Sequence, residues 1–182
     1  MILFKTRSGI KNLLGIESLD TMKLRDSQRK KVYGWAEQEG ISFADNAPII
    51  SLDDCEKLVQ KAITWWFRLG NMPPLGSSDS KVMMPRIRVH KRRNGAATLG
   101  SEEIRFGPKA LQTGIILHET AHILIATHKL ADIDGGHGPY FMRIWIELLG
   151  HYTKFDRSEL TRSAKNNRIK VHPMSKIDRP KS

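Results

Sequence analysis

The chain has 182 residues, 40% of them hydrophobic, with one cysteine and a formal net charge of +11. That length supports one domain with a real core and leaves little for a second, and the apolar share is that of a globular chain rather than a disordered one. The single cysteine, Cys55, excludes intrachain disulfides and cysteine-rich zinc sites, which suits a reducing cytoplasm.

No apolar run approaches the roughly 18 residues that a membrane span needs. The apolar opening Met1–Phe4 is broken at Lys5, which predicts no secretory signal. The positive charge is blocked. Residues 1–31 carry eight Lys/Arg against three acids, residues 81–97 carry six against none, and residues 153–182 carry nine against three. Such blocks form either a solvated basic face or a surface that meets nucleic acid.

The first helix is expected from Asp26, a capping residue, with Val32, Trp35 and Ala36 on one face and Gly40 as its stop. A second opens at Ser51, with Asp54 as a short-armed capping box. It runs through Leu58, Val59, Ala62, Ile63, Trp66 and Phe67 to Gly70, and Cys55 is a small packed residue near its start. Residues 71–80, rich in Pro, Gly and Ser, read as a loop. Alternation over 84–92 and 97–106, with Asn94-Gly95 between them, predicts a pair of antiparallel strands. A long helix over 109–128 follows, introduced by Gly107-Pro108 and apolar around most of its girth, hence central. Pro139 starts another, with Phe141, Ile144, Trp145, Leu148 and Leu149 on its core face and Gly150 at its end. A shorter helix is possible over 158–164, followed by a basic tail or late-packing strand.

The central helix carries His118-Glu119-Thr120-Ala121-His122. Histidines four apart lie nearly above one another, so both rings can reach one metal ion, while the intervening glutamate points toward water beside it. In an apolar helix, an imidazole with no ligand to bind would be costly. A catalytic zinc takes three protein ligands. His137, which follows two glycines and precedes a helix start, is the preferred third. His128, Glu147, Asp132 and Asp134 are the other candidates. His128 has the metzincin spacing, but Ile125 stands where that motif needs a turning glycine.

His118–His122 followed by His137-Gly138-Pro139-Tyr140-Phe141 resembles the zinc segment of SprT-like (Spartan-like) metallopeptidases. It is similar above all to small bacterial and phage metallohydrolases in which a "DSQR…VY" helix opens the domain, as Asp26-Ser27-Gln28-Arg29 and Val32-Tyr33 do here. The resemblance covers roughly residues 25–152. It implies an α+β, zincin-like single domain with a small antiparallel sheet packed on the zinc helix. Basic extensions at 1–24 and 153–182 flank that domain. It also implies Zn2+ on His118, His122 and His137, with Glu119 as general base. The cysteine-type zinc module of some relatives is lacking.

The expected activity is hydrolysis of a protein or peptide by zinc-activated water. The peptide is expected to add as a strand near Ile104–Phe106, and Tyr140, Arg143, His151 or Tyr152 to donate to the oxyanion. The alternative is a basic nucleic-acid-binding protein in which zinc is structural.

Overall fold

The structure, a computed structural model, describes residues 26, 28–41, 47–69, 84–91, 95–127 and 136–173. The extension at 1–24, the loop at 71–80, Asn94, His128, Asp132, Asp134 and residues 174–182 lie outside the described residues.

Among the described residues the fold is α+β, five α-helices and a three-stranded mixed sheet. Helix α1 spans Arg29–Gln38 and buries Val32, Trp35 and Ala36, the expected face. Asp26 Oδ1 accepts from the Arg29 amide at 3.0 Å, and Gly40 leaves the helix at φ 66°. Helix α2, Leu52–Arg68, is capped by Ser51, whose oxygen accepts from the Asp54 amide at 3.0 Å. Cys55 is fully buried in it, and burial pushes its thiol up to about 12, as befits packing rather than chemistry.

The sheet differs from the expected hairpin. Strands β1 (Arg86–Val89), β2 (Ala96–Leu99) and β3 (Glu103–Phe106) lie in the order β1-β3-β2. The stretch 97–106 is two strands, because Gly100 turns the chain at φ 58°. β3 folds back antiparallel on β2 with Leu99 opposite Glu103, and β1 joins its other side in parallel, Ile87 opposite Ile104. One sheet face puts Ile104 and Phe106 in the core, while Arg86, Arg88 and His90 point to solvent. On the outer face Glu103 pairs with Arg105 and with Arg88 at 3.4 Å.

Gly107-Pro108 starts a 3-10 turn, Pro108–Ala110, and not the long helix itself. The chain breaks there because the Leu111 carbonyl is taken by the Ile50 amide at 2.9 Å and Gln112 bridges to Ile49. Helix α3 then runs Thr113–Thr127, buried on nearly every side, and packs against α2, β2 and helix α4 (Pro139–Tyr152). The near-absence of a polar face is what sends α3 to the centre.

α4 opens with Pro139 in its first turn and buries the five predicted core residues. It does not stop at Gly150. A Cβ there would lie 2.1 Å from Arg157 Cγ, so the glycine makes room for that side chain in mid-helix. Helix α5, Arg157–Asn166, is capped by Asp156 and sends Leu160 and Ala164 into the core, followed by Ile169. Burying a side chain such as Leu160 is worth about 2 kcal/mol. The segment 169–173 then runs back beside α4, the His172 amide donating to the Pro139 carbonyl at 3.0 Å.

Candidate metal centre and cleft

His118 and His122 project from α3, one turn apart, and His137 reaches them from the turn before α4. One ring nitrogen from each can be chosen so that all lie within 4.8 Å of one another, close enough to share one metal ion. His137 Nε2 is 3.2 Å from His118 Nε2. His118 and His137 are each 5% exposed. The surround is aromatic: Phe141 packs against all three rings and Trp145 meets His118 edge-on at 4.7 Å. Burial, aided by the neighbouring histidines and Arg29, holds His118 well below the usual range and His122 down to about 3. Both rings are therefore neutral at physiological pH, which is the form that ligates metal.

His137 is fixed from behind by the segment that opens α1. Asp26 Oδ2 lies 2.5 Å from His137 Nδ1, so the ring's other nitrogen is turned to the cluster. Gln28, itself buried, donates from Nε2 to the His137 carbonyl at 3.0 Å, and its Oε1 accepts from the Lys170 amide at 2.5 Å. Gly136, at φ 88°, lets the turn approach: a Cβ there would stand 3.1 Å from Asp26 Oδ2. Asp26 and Gln28 thus tie the third histidine to both ends of the described chain.

Three imidazoles gathered in an aromatic surround, one of them backed by a carboxylate, form a donor set suited to a divalent metal of the zinc type. Glu147 is not part of it. Its carboxylate pairs with Arg143 at 3.4 Å and Arg157 at 3.3 Å. His128, Asp132 and Asp134 lie outside the described residues.

Beside the histidines lies a cleft of about 340 Å³, lined by Tyr33 and Glu37 of α1, Gly95 and Ala96 at the start of β2, and Ile115, His118 and Glu119 of α3. Glu119, 5% exposed, accepts a 2.7 Å hydrogen bond from Thr98 Oγ1 at its Oε2. The edge strand thereby orients the carboxylate in the cleft wall.

The four expected oxyanion donors do not line this cleft. Tyr140 stacks on His172 at 3.9 Å and Arg143 donates to the His172 carbonyl at 2.8 Å. His151 stacks on Trp65 at 4.1 Å, and Tyr152 also lies against Trp65. Their positions on α4 turn them away from it. Tyr33 lines it instead. Its ring stacks on His118 at 5.6 Å and tilts against His137 at 5.2 Å. Burial raises its phenol above the ordinary 10.0, Arg29 opposing and Glu119 reinforcing, so the hydroxyl keeps its proton.

Residue-level reading of the sequence took Asp26 only as a helix cap and missed Gln28, Tyr33 and Thr98 as site residues. The available signals were the spacing Arg29–Tyr33–Glu37, one stripe of a helix, and the side of β2 on which Thr98 falls. Ile104–Phe106 cannot receive a peptide strand, since β3 is the middle strand and is paired on both sides. Among the described residues β2 pairs only with β3, as the edge strand of the sheet.

No protein-family model, characterised protein or solved structure matches this chain.

Proposed function

We propose that this chain is a zinc-dependent hydrolase, a zincin-like metallopeptidase of the SprT-like kind, with Glu119 as general base. The observation that carries this reading is the meeting of three clustered histidines with a cleft whose wall presents Glu119. His118, His122 and His137 would hold the ion. Bound zinc supplies Lewis acidity, which acidifies water to a pKa of about 7 and polarises a carbonyl. Glu119, steadied by Thr98, takes a proton from water as the water oxygen adds to the carbonyl carbon. It returns the proton to the nitrogen as the C–N bond breaks. A peptide is received in extended form along the outer edge of β2, the edge strand. A purely structural zinc would have no use for a carboxylate held in a cleft.

No helix among the described residues is long and apolar enough to cross a membrane, and we place the activity in the cytoplasm. The outward Arg86 and Arg88 of β1 favour a second role, docking on nucleic acid near the substrate. Loss of that binding on raising salt from 50 to 200 mM supports it, and salt-independent binding rejects it.

The test is Glu119→Gln. Zinc content by elemental analysis stays at the wild-type level while hydrolysis of unfolded casein falls by about 10²-fold or more. Unchanged hydrolysis removes Glu119 as the base. A zinc-loaded wild-type protein that cleaves no peptide bond points to the nucleic-acid-binding alternative with a structural zinc.

A further inference from the structure

The cleft has a wall whose chemistry hydrolysis by zinc and Glu119 alone leaves unused. Arg29, Tyr33 and Glu37 are spaced i, i+4, i+8 on α1, so they form one stripe, and Tyr33 and Glu37 line the cleft opposite α3. Tyr33 is the innermost of the three. It is half-buried and wedged against His118 and His137, which fixes its ring before any substrate arrives. The Arg29 guanidinium lies 5.7 Å from the Tyr33 ring centroid.

Arg29 is oddly placed for a site that binds a cation. It adds a positive charge beside the ring that packs on His118 and His137. The arrangement makes electrostatic sense if negative charge develops in the cleft during the reaction, where a cation and a fixed donor both stabilise it.

We propose that the Tyr33 hydroxyl, backed by Arg29, is the oxyanion donor of this site; the inference rests on the hydrolase reading above. The phenol donates a hydrogen bond to the carbonyl oxygen as that oxygen gains charge. It transfers no proton, and the bond is strongest in the tetrahedral state. A tyrosine present only to pack on the histidines could be replaced by phenylalanine at no cost, and this separates the two roles.

The experiment compares zinc-loaded wild type, Tyr33→Phe and Arg29→Gln in casein hydrolysis and in binding of a phosphoramidate dipeptide, whose tetrahedral phosphoryl group mimics the oxyanion. In Tyr33→Phe, kcat is expected to fall about 10²-fold and phosphoramidate affinity by a similar factor. KM, zinc affinity and thermal midpoint are expected to stay near wild type. Arg29→Gln changes an exposed side chain that does not threaten the fold; it is expected to weaken both readouts by about tenfold, more at low salt than at high. Wild-type kcat and phosphoramidate affinity in Tyr33→Phe overturn the proposal. So does a loss of activity explained fully by lost zinc. If Tyr33→Phe fails to fold, wild-type behaviour of Arg29→Gln in both readouts overturns it. Wild type that neither cleaves casein nor binds the phosphoramidate overturns the hydrolase reading itself, and this inference with it.

Discussion

Asp26 and His137 are 111 residues apart in sequence, yet the Asp26 carboxylate lies 2.5 Å from the His137 ring. The aspartate uses one oxygen to cap α1 and the other to orient a candidate ligand. Removing such a carboxylate costs a metal site about 10- to 100-fold in affinity. Asp26→Ala is expected to lose zinc by that factor in chelator competition, together with about 1 kcal/mol from the lost cap. Asp26→Asn keeps an acceptor and should fall less. Wild-type zinc affinity in Asp26→Ala would remove Asp26 from the support of the site.

Glu147 and His137 make a paired test of the ligand set. His137→Ala is expected to lower bound zinc to well below one equivalent. Glu147→Gln is expected to keep its zinc and lose stability instead, by about 2 kcal/mol or more, because Arg143 would be left largely buried without its carboxylate. Urea unfolding and elemental analysis together decide it. A zinc-free Glu147→Gln beside a fully loaded His137→Ala would reverse the assignment.

Thr98 acts on Glu119 across the gap between β2 and α3. Thr98→Val keeps shape and removes the donor, so kcat is expected to fall about tenfold, with zinc content unchanged. Thr98→Ser should restore most of it. This magnitude matches a hydrogen bond to a charged group, about 1.5 kcal/mol. Wild-type kcat in the valine variant beside a loss in the serine variant would assign Thr98 to packing alone.

The metal-free protein should become less stable as it is acidified from neutral pH. His122 in the folded state titrates near 3 and in the unfolded chain near 6.5, so between those values the unfolded chain binds the proton and the folded chain does not. Stability therefore rises with pH across that window: it is complete above about 6.5 and is lost progressively toward 3. His118 acts in the same direction. Urea midpoints at pH 7.5 and 5.5 check this, with His122→Phe expected to show the shallower fall. Equal slopes in the two proteins would contradict it.

What the sequence made legible followed from short-range periodicity. α1, α2 and the core face of α4 could be read because Val32, Trp35, Phe141 and Trp145 repeat at helical spacing, and Ser51 and Asp54 form a local cap. His118 and His122 were legible for the same reason, being one turn apart. The sheet order was not, since alternation says which face a strand buries but not which neighbour it takes. Only the φ of Gly100 distinguishes one strand from two. The start of α3 was hidden by Ile50, a partner 61 residues before Leu111. Asp26, Gln28, Tyr33 and Thr98 were unmarked as site residues because each acts through a partner at least 21 positions away.

The segment that follows α1 meets α3 through backbone. Ile41 leaves α1 just after Gly40, and a Cβ on Gly114, in the first turn of α3, would stand 1.9 Å from the Ile41 carbonyl oxygen. No other residue fits there without displacing one helix from the other. The approach of α3 to the segment that follows α1 is therefore set at that point by main-chain contact, not by side chains that could repack. Such a contact works as a spacer: in the hydrolase proposed above, the gauge of the cleft would belong to the backbone.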